Sequence, residues 1–263
     1  MVNFSDNYPD FSLPMYEQLC KTILQQHFEV KTTHQFLTEK QIDIPTCILR
    51  HDVDRQPETA LAMAQLEHRL GIRSSYYFRF VKGVYSPKII KAIYDLGHEI
   101  GYHYETLSKC RGNHDEAIFL FQKELDKFRS LCPITTISMH GRPFSPYDNR
   151  TLWEKSNFED FGIIGECYLS IDYLNVAYFS DTGRTWNPHR YNIRDQVEQN
   201  QLPTLESTNN LISFLSNSQL KSICILTHPN RWTTSKKGWF FSATSDFIIN
   251  QLKRILLLIR AHS

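Results

Sequence analysis

From residue 47 onward, short apolar runs alternate with amphipathic stretches, and nearly every apolar run ends on a charged or imidazole side chain. The runs "CILRHD", "SSYYFRF", "HEIGYHYE", "ITTISMH", "FGIIGECY", "NVAYFSD" and "SICILTH" read as strands. Between or after them, "PETALAMAQLEHRLG", "SPKIIKAIYDLG", "NHDEAIFLFQKELDKFRSL" and "SATSDFIINQLKRILLLIRA" read as helices. Pro57 ahead of the first and Gly71 behind it are start and stop signals, and Asn113 is placed to cap the third. Strand–helix alternation of this kind predicts a mostly parallel sheet with crossover helices, either an open doubly wound sheet or a closed barrel.

The strand ends carry Asp52 and Asp54, Arg79, His103 and Glu105, His140, Glu166, Asp181 and His228. Unpaired charge where a buried strand ends is costly, so folding alone does not explain the pattern. Convergence of the C-terminal strand ends on one site explains it, and barrels keep their chemistry there. Six cysteines are scattered without a CxxC pair, as in a protein with reduced thiols. A net charge of +1 gives no overall footprint for nucleic acid or membrane. The start lacks a basic stretch followed by an apolar core, and no apolar run reaches spanning length, so the expectation is a cytoplasmic protein without membrane insertion.

Residues two apart on a strand share a face, which puts Asp52 beside Asp54. Two carboxylates that close repel unless a proton or cation lies between them. The plainer role for Asp54 is to cap the helix that begins near Pro57. His103 and Glu105 share a face in the same way, and with Asp54 they make an N/O donor set suited to a divalent ion such as zinc. His98, about five residues earlier, belongs at the other end of that strand and is read as structural.

"RHDVD", followed about fifty residues later by "GHEIGYHYE", resembles the first two motifs of the polysaccharide deacetylase family, carbohydrate esterase family 4 (NodB-like). The resemblance implies a distorted (β/α) barrel in one domain, a divalent metal, most often zinc, and hydrolysis of acyl groups on sugars. It implies that Asp52 is the catalytic base and Asp54 a metal ligand. The family's second motif is His-x-x-x-His; His103 matches its first position, but Leu107 stands at the second. Either a third ligand comes from Glu105, His140 or Glu166, with Glu105 slightly favoured over His140, or metal binding is weak or lost. "HGRPFSPYDNR" is similar to the third motif, in which Arg142 ahead of Pro143 would orient the base. "YFSDTGRTW" is similar to the fourth, placing Asp181, Arg184 and Trp186 along the substrate groove. "ILTHPNRW" is similar to the fifth, making His228 the general acid, with Trp232 as a sugar-stacking residue. The reading that follows is an N-acyl hydrolase acting on a carbohydrate substrate, a sugar precursor for surface polysaccharide. A catalytically silent sugar-binding homologue and an amidohydrolase for non-sugar amides are its alternatives. Residues 1–46 are expected as a helical segment packed on a barrel of residues 47–263.

Overall fold

The computed structural model describes residues 8–39, 44–142, 144–188 and 190–261, with the side chains of 256–261 left aside. In chain order its elements are α1 (Leu13–Gln25), β1 (Glu29–Lys31), α2 (Thr33–Thr38), β2 (Thr46–Val53), α3 (Pro57–Arg69), β3 (Ser75–Phe78), α4 (Pro87–Asp95) and β4 (Glu99–Tyr104). They continue with α5 (Thr106–Lys109), α6 (His114–Arg129), β5 (Thr136–Met139), β6 (Gly165–Glu166), β7 (Ala177–Ser180), α7 (Thr208–Asn217), β8 (Ser222–Thr227) and α8 (Lys236–Ala261).

The strands lie in the order β6-β5-β4-β3-β2-β8-β7, and each neighbouring pair is parallel. Parallel strands need crossovers, and α3, α4, α6 and α7 supply them. The sheet curls into a distorted (β/α) barrel that stays open, since β6 and β7 at its ends do not pair among the described residues. The segment ahead of residue 47 is helical at α1 and α2, and it also enters the sheet. Its β1 pairs with the first half of β2, Glu29 opposite Thr46, below the point where β3 takes over at Arg50 opposite Ser75.

Local chemistry fixes the helix ends. Pro57 opens α3 behind Gln56, which takes a left-handed φ of 53°. The Asn113 side chain accepts from the backbone N–H of Glu116 and caps α6, which carries acids in its first turn and bases in its last. α7, which the sequence reading did not anticipate, begins with a capping box between Ser207 and Asn210.

Alternation along β2 divides its side chains between two apolar clusters. Cys47 and Leu49 pack outward against Tyr16 and Leu19 of α1, Met63 and Leu66 of α3, and Leu211 of α7. Ile48 faces inward, in the cluster that holds Tyr77, Tyr178 and Cys224. Gly101 is needed for that interior, because a Cβ there would lie 2.2 Å from the Tyr77 ring. The inward period of two then carries Arg50 and Asp52 up the barrel axis toward its C-terminal mouth.

Candidate active site

Five of the strand-end residues meet at that mouth. Asp54, Arg79, His103, His140 and His228 line one cavity of about 270 Å³, just below the usual range for ligand clefts. Asp54 Oδ1 stands 3.4 Å from His103 Nε2 and 3.4 Å from His140 Nε2. Tetrahedral ligands about 2.0 Å from a zinc ion stand about 3.3 Å apart, so each ring nitrogen stands at ligand spacing from the carboxylate oxygen, and all three atoms lie within 4.8 Å of one another.

The second nitrogen of each ring supports this. His103 Nδ1 donates to the Ser138 carbonyl at 2.9 Å, and His140 Nδ1 donates to Glu105 Oε2 at 3.0 Å. In the neutral rings Nε2 is thereby the unprotonated nitrogen and faces Asp54, the tautomer a metal-binding histidine needs. Asp54 Oδ1 is buried without a hydrogen-bond donor, although both rings lie within ion-pair distance. A buried anionic oxygen facing two imidazole lone pairs fits a divalent cation by its chemistry alone.

The charges follow from the geometry. Burial works to raise the Asp54 carboxyl, but His140, His103 and His228 outweigh it and hold it well below the ordinary range. Burial lowers His103, yet Asp52 and Asp54 reverse the effect and push it up. For His140 burial wins over Asp54 and Glu105, so that ring favours the neutral, metal-ready form.

Glu105, expected as a ligand, lies behind the set instead. Its carboxylate accepts from Arg79 Nε at 3.2 Å and from Arg79 Nη2 at 2.9 and 3.0 Å, as well as from His140. With both oxygens engaged it orients His140 instead of facing the cavity. Burial opposes ionisation there, but His140, Arg79 and Lys109 bring Glu105 down to about 2. Glu166 is also excluded, because its oxygens accept the backbone N–H groups of Met139, Tyr168 and Leu169. Leu107, the position where the family pattern has its second histidine, is buried in α5.

Asp52 lies below the ligand set, buried, with Oδ2 3.7 Å from His103 Nε2. Arg142 does not orient it. That side chain is half exposed, with Nε 3.7 Å from Glu105, and Pro143 is outside the described residues. The guanidinium beside Asp52 belongs to Arg50, with Nη2 3.8 Å from Oδ2 and Nη1 donating to Ser138 Oγ at 3.0 Å. Arg50 is itself fixed by the Tyr168 ring, whose centroid is 4.5 Å from Cζ. The strand alternation that paired Asp52 with Asp54 reaches Arg50 two residues earlier, so the signal was present in the sequence.

On the opposite wall, His228 Nδ1 donates to Asp181 Oδ1 at 2.6 Å, leaving Nε2 as the free nitrogen. Asp181 is fully buried, so it does not line a groove as expected. It accepts from the His228 backbone N–H at 2.9 Å, Arg231 Nη1 at 2.8 Å and Trp232 Nε1 at 2.8 Å. Burial raises the Asp181 carboxyl, but Arg231 and His228 overcome this and lower it. Trp186 and Trp232, read as sugar contacts, are 2 % and 0 % exposed. They sit in the outer core around Phe11 and Tyr16, and Trp186 donates to Thr208 Oγ1. Arg184 is occupied too, with its guanidinium against Phe11 and Trp239 and 3.7 Å from Asp246. The aromatic ring at the mouth is Phe144, 58 % exposed, which the sequence reading passed over. Also unforeseen, α8 closes one side of the mouth with Asp246, Asn250 and Lys253.

No family model matches the chain, and no curated protein does. Among solved structures it is similar to a family 4 carbohydrate esterase from Bacillus anthracis, at 11 % identity over 95 % of this chain and 89 % of that one, with a TM-score of 0.39. PdaA of Bacillus subtilis, described as a family 4 carbohydrate esterase, matches at 14 % identity over 87 % and 82 %, with a TM-score of 0.41. A family 4 pseudoenzyme from Bacillus anthracis matches at 15 % identity and a TM-score of 0.42; 80 % of this chain is covered, spanning 61 % of that protein's length. Likeness this distant carries nothing about chemistry, which rests on the residues above.

Proposed function

We infer that the chain is a metal-dependent hydrolase that removes an N-acyl group, most simply acetyl, from a carbohydrate. The carrying observation is the set Asp54, His103 and His140, each ring held through Nδ1 with Nε2 presented, next to a buried Asp52 and across from His228. Two nitrogens and one carboxylate oxygen with an open position are the donors of a catalytic zinc site. A divalent ion held there would polarise the amide carbonyl and make a bound water more acidic.

The chain's own groups handle the protons. Asp52, held against Arg50 and within 3.7 Å of a ligand nitrogen, takes a proton from the attacking water. His228, as the imidazolium with its Nδ1–H held by Asp181, gives its Nε2 proton to the departing amine as the C–N bond breaks, and the proton on Asp52 returns to the ring afterwards. One water and one amide become one carboxylic acid and one amine, with both protons accounted for. Phe144 offers a ring face at the mouth on which a sugar can stack.

The silent sugar-binding reading draws support from Leu107, which removes a donor from the second motif. His140 from the next strand restores a nitrogen, so the loss does not leave the site short. The test is acetate release by zinc-loaded protein from N-acetylated amino sugars, free, nucleotide-linked and lipid-linked, alongside simple non-sugar amides. Release from a sugar is expected. Binding of sugars with no release from any of them would establish the silent reading, and release from the non-sugar amides alone would move the activity outside carbohydrates.

A further inference from the structure

The last helix is turned inside out. At about 100° per residue, Ser242, Asp246, Ile249, Asn250 and Lys253 share one side of α8. That side packs inward: Ser242 bonds the Asn230 carbonyl and Arg184, Asn250 donates to the Gly183 carbonyl, and Asp246, Asn250 and Lys253 line the mouth. The opposite side holds Phe240, Phe241, Phe247, Ile248, Leu252 and Ile255, and their exposures run from 48 % to 76 %. A monomer does not leave so many large apolar side chains contiguous in water without something to cover them.

Charge says what covers them. Lys236, Lys237 and Arg254 are exposed at the borders and the start of the apolar stripe. The only acid of α8 is Asp246, which points inward at Arg184 and Arg231. A second copy laid on this stripe would set lysine and arginine against lysine and arginine, whether the helices ran parallel or antiparallel. An anionic surface pairs with them instead. No described helix is long and apolar enough to cross a membrane, so a helix of this composition lies in the plane of the surface.

We propose that α8 is an interfacial helix that anchors the barrel to an anionic lipid surface, with its phenylalanines in the headgroup region and Lys236, Lys237 and Arg254 against lipid phosphates. The mouth and the stripe are the two faces of one helix, so a bound protein holds its site one helix diameter, ~10 Å, from that surface. The even charge of the whole chain conceals this local arrangement.

The test is sedimentation of the full chain with vesicles of phosphatidylcholine, alone or with roughly a third phosphatidylglycerol. Partitioning at least about tenfold stronger onto the anionic vesicles is expected, and it should weaken as salt rises. The double variant Phe241→Ser, Phe247→Ser, with circular dichroism and thermal melting to show it folded, should lose at least about tenfold. The triple variant Lys236→Glu, Lys237→Glu, Arg254→Glu should lose the preference for anionic lipid. Absence of sedimentation on both vesicles, or undiminished binding by the phenylalanine variant, would overturn the proposal. So would a dimer in light scattering that this variant converts to monomer, because the stripe would then belong to a second copy.

Discussion

The assignment of His140 as a ligand and Glu105 as its support can be decided by metal affinity. A complete zinc site is worth on the order of 10–16 kcal/mol; shared among four donors, one donor is about 3 kcal/mol, or ~150-fold in affinity. His140→Ala removes a nitrogen that stands 3.4 Å from Asp54, so a loss of that order is expected. Glu105→Gln keeps an oxygen that can accept from His140 Nδ1 and from Arg79, and gives up only the charge. Supporting residues cost 10–100-fold when removed, so this conservative change should cost about tenfold. Asp54→Ala should match His140→Ala. The assay is competition for zinc against a chromophoric chelator, on protein stripped of metal and checked for fold by circular dichroism. A Glu105→Gln variant that lost more affinity than His140→Ala would mean that Glu105 enters the ligand set. The argument from the two Nδ1 hydrogen bonds would then be wrong.

Asp52→Asn should keep fold and zinc affinity while turnover falls about 10²–10⁴-fold, and unaltered acetate release would remove Asp52 from the proton path. Asp181→Ala leaves Arg231 and His228 without their buried partner, so urea titration should show a loss of about 3–5 kcal/mol; a change under 1 kcal/mol would mean that water replaces the carboxylate. Glu67 accepts from Tyr76 and Ser74 and pairs with His51 at 2.8 Å; burial works to raise it, but His51, His98 and Ser74 hold it at about 2 instead of 4.5. An acid depressed on folding stabilises the fold above its unfolded pKa, and that contribution, about 3 kcal/mol here, is lost as pH falls from 4.5 toward 2. The stability gap between wild type and Glu67→Gln should therefore narrow from pH 5 to pH 3 in urea melts, and parallel curves would contradict this. Phe144→Ala should raise KM about fivefold without altering the melting temperature, whereas Trp232→Ala should lower stability by about 3–5 kcal/mol; the reverse pattern would return the sugar contact to Trp232.

Sequence alone was enough for a parallel strand–helix sheet, because hydrophobic period and turn chemistry are local, but the pattern did not separate an open sheet from a barrel and did not reveal β1 or α7. The strands at 46–53, 75–78, 99–104, 136–139 and 222–227 lie where apolar runs end in His, Asp or Arg, and the helices between them fix a parallel sheet. The same period made Asp52 and Asp54 neighbours. What the sequence could not decide was which strand-end side chain faces the cavity and which faces its own support. Glu105 follows β4 and shares the strand face of His103, yet the turn into α5 and two cationic neighbours take up its carboxylate. His140, thirty-seven residues beyond His103, reaches Asp54 only because β5 lies beside β4. Trp186 and Trp232 look like sugar platforms in a list of motifs. In the fold they fill the outer core, because the barrel wall they follow backs onto α1. The inverted side of α8 shows the same division. Its period of polar residues is legible in the chain, but which side meets protein is decided by the mouth against which Asp246 and Asn250 pack. Periodicity says that two faces exist, and only tertiary packing says which one is left for solvent, substrate or lipid.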